Sequence, residues 1–236
     1  MQVVILAGGF GTRLSEETDM IPKPMVRLDK DPLLVHLIRY FVNFGHHDFI
    51  IATGYKGDII QEYFRQDAKK SLGRECRVTA IDTGLNTQTG GRLLRLKSYL
   101  DQEFFLTYGD GLSNVDLDLL LEQHRTQKKL ATVTAVRPPA RFGTLELAGL
   151  DVVKFSEKDP QEVGWINGGF FCLDRRVCDF IEGDDISLES TPMDSLVRVG
   201  ELSAYRHFGF WHPMDTLRDK RELSKLLENG TAPWMK

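Results

Sequence analysis

Three short stretches of the 236-residue chain set fixed charge beside bare backbone. The first is Leu6-Ala-Gly-Gly-Phe-Gly-Thr-Arg13, where an apolar run drops into three glycines and ends on an arginine. Backbone N–H groups at the end of a strand can face a phosphate chain, and glycine permits close approach. Arg13 adds a guanidinium that can grip a phosphate with two hydrogen bonds. The second is Ile21-Pro-Lys-Pro-Met25, in which a proline on each side of Lys23 stiffens the loop. A lysine held in this way loses little further freedom over an anion. The third is Tyr108-Gly-Asp-Gly111. Asp110 follows an apolar run and is suited to hold Mg2+ against phosphate oxygens, since Mg2+ usually takes one or two protein carboxylates.

Further along, Phe208 to Thr216 (FGFWHPMDT) supplies Asp215 as a second metal carboxylate, with Trp211 and His212 as core or pocket wall. Asn167, Gly168 and Gly169 offer another point of backbone approach, and Glu157 and Lys158 in KFSEKDP could meet substrate hydroxyls and phosphate. Taken singly, each piece also reads as an ordinary turn or a solvated charge. The glycine loop is neither of the two commonest phosphate loops. No glycine follows Gly11 at the third position, and no Gly-Lys-Ser/Thr comes after it.

These residues need a scaffold. Val3 to Leu6, Asp48 to Thr53, Phe104 to Thr107 and Ala131 to Val136 are apolar runs that read as buried strands, and Arg77 to Asp82 alternates like one. Helical spacing falls between them, at 33–44, 58–64, 90–100 and 117–127. Strand and helix in alternation predict a parallel sheet covered on both faces. After Pro138-Pro139 the segments GTLEL, DVVKFSE, WINGGFFCLD and ELSAYRHFG predict hairpins and antiparallel strands, and a helix over 218–228 closes the chain. The expected fold is α/β: a three-layer, mostly parallel mixed sheet with a small antiparallel and helical C-terminal part, in one domain over 1–236.

Composition narrows the class. Hydrophobic residues make up 42% and charged residues 27%, as in a soluble globular protein, and the net charge of -4 advertises no face for nucleic acid. Cys76, Cys172 and Cys178 form no C-x-x-C pair, so a zinc site is not expected and reduced thiols are. With no basic leader and no run of ~18 apolar residues, the expected location is the cytoplasm, without a membrane partner.

The order of the motifs is more informative than any one of them. LAGGFGTRL, PKPM, a strand ending in GDG, FSEK, NGGFF and FWHPMDT together resemble the sugar-1-phosphate nucleotidylyltransferase family. GTRLSEET, GYKGDIIQEYF, DTG followed by TGGRL, TYGDGL, RFG, FWHPMDTLRDK and APW are similar to its glucose-1-phosphate cytidylyltransferase branch. The resemblance covers essentially the whole chain, and it implies a Rossmann-like fold with a nucleotide-binding core over 1–136 and an acceptor-binding part over 137–236. It implies that CTP and a sugar 1-phosphate give a CDP-sugar and pyrophosphate by Mg2+-assisted in-line attack. It implies that Leu6, Ala7, Gly8, Gly9, Gly11 and Thr12 line the nucleotide, with Arg13 on the leaving pyrophosphate and Lys23 on the reacting phosphates. Thr89, Gly90 and Gly91 would approach the base and ribose. Glu157, Lys158, Asn167, Gly168 and Gly169 would face the sugar phosphate, and Asp110 and Asp215 would hold Mg2+. A homo-oligomer is compatible with it.

Two departures from the branch fall on the acceptor side. Only 17 residues separate EYF from DTG, where the branch carries a longer segment. Leu188-Glu-Ser-Thr-Pro192 stands where the branch reads Trp-Glu-Gln-Glu-Pro. A different phosphorylated acceptor, or UTP or dTTP in place of CTP, are the alternative enzymatic readings. A non-catalytic nucleotide-sugar sensor is a third, opposed by the presence of Lys23 and both aspartates.

Overall fold

Seven strands build the central sheet: β1 (Gln2–Leu6), β2 (Asp48–Thr53), β3 (Arg77–Asp82), β4 (Glu103–Tyr108), β5 (Ala131–Val136), β6 (Ile166–Asp174) and β7 (Leu202–Arg206). The computed structural model describes residues 1–66, 72–73, 75–138, 144–156 and 164–235, without the side chains of residues 13, 15, 16, 144, 147 and 156. The strands lie in the order β7-β5-β6-β4-β1-β2-β3. All neighbours are parallel except β6, which runs against both β4 and β5.

The apolar runs follow from burial on both faces. On β1, Val3 and Ile5 belong to one core cluster while Val4 and Leu6 belong to the other. The first cluster lies under helices α1 (Leu33–Asn43), α2 (Gly57–Gln66), α4 (Leu117–Gln127) and α6 (Leu217–Glu228). The second lies under α3 (Thr89–Arg95), α5 (Thr191–Arg198) and the 3-10 turns of Arg175–Phe180. Three layers result, helices on sheet on helices. The caps are local: Asp116 accepts from Leu119 N at the start of α4, and Thr216 and Asp219 form a reciprocal capping box at the start of α6.

Two expectations need correction. The segment around 201–209 was expected to pair antiparallel, but β7 runs parallel to β5, with Leu202 opposite Ala131 and Arg206 opposite Ala135. Its alternation records an edge strand with one exposed face, and that pattern is the same for either direction. The helix expected over 90–100 stops at Arg95. There Leu96 N bonds back to both Arg92 O and Leu93 O, tightening the chain into the 3-10 turn Lys97–Tyr99. The hairpin of Thr144–Ala148 with Asp151–Ser156 is antiparallel as expected.

Candidate functional site

Strand order reverses between β1 and β4, since the chain leaves β1 for β2 on one side and returns to β4 on the other. At such a switch the loops leaving the two strands diverge and open a crevice at their carboxyl ends. A cavity of about 460 Å³ lies there. Its walls are the loop from Leu6 to Thr12, Lys23 and Pro24, the stretch Leu85–Thr89, Arg92, and Tyr108 to Asp110. A second recess of about 40 Å³ adjoins it, lined by Tyr108, Asp110, Asn167, Gly168, Gly169 and Trp211 among others. Asp110 lines both.

Lys23 lines the larger cavity and bonds the aspartate that lines both. The Pro22 and Pro24 flanks hold it in the 3-10 turn Lys23–Met25, with Val26 N bonded to Lys23 O. Its residue exposure is only 7%. Its Nζ donates to Asp110 Oδ2 at 2.8 Å and to Asp215 Oδ1 at 2.7 Å. Burial pulls the Lys23 pKa down, but the Asp110 and Asp215 carboxylates outweigh it and the net direction is up, so the ammonium keeps its charge. The two carboxylates, 105 positions apart in sequence, are brought together by a short antiparallel ribbon. Trp211–Pro213 pairs with Gly111–Ser113, and Met214 N donates to Asp110 O at 2.8 Å. Asp219 then fixes the Asp215 backbone, its Oδ2 accepting from Asp215 N at 3.0 Å and Thr216 N at 2.8 Å.

The glycines divide into different jobs. Gly11 has φ +66°, and a Cβ on it would press on Lys23 Cβ at 3.1 Å, so this turn requires glycine. Gly9 faces open space. Gly8 does not: a Cβ there would lie 2.3 Å from the Arg92 guanidinium. Sequence reasoning missed Arg92, which reads as one polar position of an amphipathic helix. It is 4% exposed, and its Nη atoms donate to Gly8 O, Thr53 O, Thr83 Oγ1, Gly84 O and Leu85 O. One side chain thereby ties the glycine loop to the end of β2 and to the 83–85 stretch. Burial lowers its pKa from the ordinary arginine value. The one local signal for it was the Gly-Gly pair before it.

Gly90 and Gly91 have a packing reason instead of a place on the cavity wall. A Cβ on Gly90 would meet Ile186 O at 2.7 Å, and one on Gly91 would meet Asp184 O at 2.4 Å. Thr89 does reach the cavity, and its hydroxyl donates to Glu189 at 2.6 Å. Glu189 also accepts from Ser187 Oγ at 2.6 Å and from the Tyr108 hydroxyl. The protein around Glu189 would raise its pKa, but hydrogen bonds from Ser187, Thr89 and Tyr108 prevail and the net direction is down. Burial, then Glu189, push the Tyr108 phenol up. Asn167 Nδ2 donates to the Tyr108 hydroxyl at 3.2 Å, and Asn167 Oδ1 accepts from Gly169 N at 2.8 Å.

Gly168 O accepts from Trp211 Nε1 at 2.6 Å, so Trp211 is a wall of the smaller recess. His212 instead pairs with Glu222 at 3.2 Å, on the flank of α6. The structure therefore brings together Leu6 to Gly9, Gly11, Thr12, Lys23, Thr89, Asp110 and Asp215, with Asn167 to Gly169 alongside. Arg13 falls in the turn Thr12–Leu14, but its side chain lies outside the described residues, as do Glu157 and Lys158.

Comparison with known proteins agrees with this layout. The family model described as Nucleotidyl transferase matches residues 2–199. The chain is 44% identical to a glucose-1-phosphate cytidylyltransferase of Salmonella typhimurium, with 99% of this chain and 98% of the relative covered. The alignment runs to 253 positions, more than this chain has, so the relative carries residues absent here. A mannose-1-phosphate guanylyltransferase of Mycobacterium tuberculosis is 31% identical over 99% of this chain and 66% of its own. Among solved structures, HddC from Yersinia pseudotuberculosis, complexed with GMP-PN, superposes with a TM-score of 0.75 at 26% identity, covering 96% of this chain and 99% of that one. The chain belongs to the nucleotidyl transferase family and is a sugar-1-phosphate nucleotidylyltransferase.

Proposed function

We propose that this enzyme joins CTP to glucose 1-phosphate, giving CDP-glucose and pyrophosphate. The observation that carries the reading is the convergence of Asp110 and Asp215 on Lys23, with Lys23 on the wall of the larger cavity and Asp110 on the walls of both. The larger one suits a nucleoside triphosphate. The sugar phosphate would enter beside the same aspartate, where the recess of about 40 Å³ marks one end of its place. The full-length likeness to a cytidylyltransferase supports the choice of base and sugar.

Both reactants are anions, so the protein must offset their repulsion and align them. Gly9 offers open backbone for the phosphates. Lys23 meets the α-phosphate and the attacking phosphate oxygen, and Arg13 steadies the leaving end. Asp110 and Asp215 would hold Mg2+. They fit it because both carboxylates already aim oxygens at one common cation, the Lys23 ammonium. When bound, Mg2+ supplies further neutralisation of phosphate charge. Arg92 keeps the nucleotide wall in shape. Asn167 and Gly169 face the acceptor, and Glu157 and Lys158 would bind its hydroxyls and phosphate. On this reading residues 1–136 serve the nucleotide and 137–236 the acceptor, although both halves share one sheet. Among the described residues no helix is long and apolar enough to cross a membrane, and the enzyme would draw its substrates from the cytoplasm.

Initial rates of pyrophosphate release test the reading. Each of CTP, UTP and dTTP is offered with glucose 1-phosphate and with other hexose 1-phosphates, with and without Mg2+. The expected outcome is a clear maximum for CTP with glucose 1-phosphate and Mg2+. A maximum with UTP or dTTP, or with another acceptor, would reassign that half of the proposal.

A further inference from the structure

At the end of the sheet away from the cavity, three side chains from separate elements point at one another. Glu103 begins β4, His124 lies in the last turn of α4, and Cys172 stands in the middle of β6 between Phe105 and Thr132. Their ligand atoms all lie within 4.8 Å of one another. His124 and Cys172 are buried, and Glu103 keeps an edge in solvent.

The hydrogen bonds fix the imidazole tautomer. Ser203 Oγ donates to Ala131 O at 3.4 Å, and a carbonyl can only accept. Ser203 Oγ therefore accepts from Thr132 Oγ1, 2.7 Å away. Thr132 Oγ1 in turn accepts the Nδ1 proton of His124 at 2.9 Å. His124 is 4% exposed, and in the neutral ring that burial favours, protonated at Nδ1, Nε2 presents a lone pair. That lone pair faces Glu103 Oε1, itself an acceptor, at 3.8 Å. Two acceptors directed at each other in a half-dry setting lack a positive centre between them. Arg125, with 61% of its side chain exposed, grips mainly Oε2, from Nη2 at 2.6 Å and Nε at 3.0 Å, and touches Oε1 only through Nε at 3.4 Å.

We infer that Glu103, His124 and Cys172 form a zinc site, with a water in the fourth position. A thiolate, an imidazole and a carboxylate are the donors a borderline-soft, tetrahedral ion takes. Thiolate and carboxylate balance its two charges, as burial demands. The relay from Nδ1 through Thr132 to Ser203 is the outer support that a ligating histidine normally has. On coordination Cys172 releases its thiol proton to solvent. Burial keeps that proton on the metal-free thiol. The site escapes sequence inspection because positions 103, 124 and 172 show no metal-ligand spacing. It would bolt α4 to the sheet and raise thermal stability, apart from the chemistry at Lys23.

The experiment uses the full-length enzyme stripped with a chelator under reducing conditions and titrated with Co2+. One equivalent should produce a thiolate-to-cobalt charge-transfer band that Zn2+ then abolishes. Cys172→Ser should lose the band, and Zn2+ should raise Tm in the wild type but not in this variant. Glu103→Gln, at a partly exposed position, should fold and bind Co2+ about tenfold or more weakly, and Thr132→Ala should weaken it about tenfold. The inference is overturned if no band forms at stoichiometric Co2+, or if the band survives in Cys172→Ser. Binding without a thiolate band would place the ion elsewhere, for example at His212, Asp219 and Glu222, and would overturn it too.

Discussion

Lys23 and Arg92 are both buried cations on the wall of one cavity, yet their surroundings differ in kind. Lys23 is met by two carboxylates on flexible side chains. Arg92 is met by four backbone carbonyls and one hydroxyl, and no carboxylate contacts it among the described residues. Side-chain partners can turn toward a substrate or a metal ion and back again. Backbone carbonyls at the ends of strands cannot move without the loops moving too. The first cation is therefore poised for exchange, while the second is a brace that holds three segments in register.

The largest effect should come from the exchangeable cation. Lys23→Ala is expected to lower kcat/KM about 10³-fold, by analogy with removing one donor to a developing charge. Steady-state pyrophosphate release checks it, with circular dichroism confirming the fold. A loss below tenfold would demote Lys23 to a structural ion pair. Its charge should persist through the neutral range. Because its pKa is raised in the folded state, its stabilising contribution is complete below the ordinary value of 10.5 and is lost as pH climbs past that value.

The brace should reveal itself as stability. Arg92→Ala leaves buried carbonyls unsatisfied and is expected to cost about 3 kcal/mol, or roughly 6–12 °C in Tm for a chain of this size. Arg92→Lys should recover only part of that, since an ammonium has three donors. If Arg92→Ala kept its Tm and lost only turnover, the contrast with Lys23 would collapse.

A third buried group sharpens the contrast from the other side, because it gives up its charge. Burial, then the nearby N-terminal ammonium, lower the His46 pKa from 6.5 to about 4. The unfolded chain thus binds more protons than the folded one between these values, so stability falls as pH drops from 6.5 toward 4. The expected loss is about 2–3 kcal/mol. Denaturant titrations across that window should show the decline, and His46→Gln should flatten it. The smallest effect belongs to Gly9. Gly9→Ala meets nothing within 4 Å and should change stability by under about 0.5 kcal/mol. Gly8→Ala, one position earlier, collides with Arg92 and should lower Tm measurably. Equal behaviour of the two would remove the distinction between open and braced backbone.

Much of this was legible in the residue order. Four strands followed from apolar runs, a fifth from alternation and most helices from helical spacing, because a sheet covered on both faces makes its inner strands mostly apolar. Lys23, Asp110 and Asp215 were legible through their motifs, and the ribbon at 211–213 explains why distant aspartates meet. Arg92 was not legible, since a charge satisfied by backbone carbonyls has no partner residue to search for. The direction of β7 was not either, since alternation reports exposure and not polarity. Gly90 and Gly91 were assigned to ligand when their close neighbour is the chain at 184–186.

The reversed strand β6 has a consequence for the order in which the molecule can be completed. It lies between β4 and β5, which precede it in sequence. As the chain grows from its N-terminus, β1, β2, β3 and β4 can pair with one another, while β5 has no neighbour of its own. Only when residues 166–174 have been made does β6 join β5 to the growing sheet, and β7 then closes the outer edge. The same strand carries Asn167 to Gly169 at its leading end. Because it runs backwards, that end arrives at the rim where its neighbours finish. Trp211 and Asp215 come later still, so a ribosome-bound chain ending before β6 has the wall of the larger cavity but lacks Asn167 to Phe170, Trp211 and Pro213 of the smaller one.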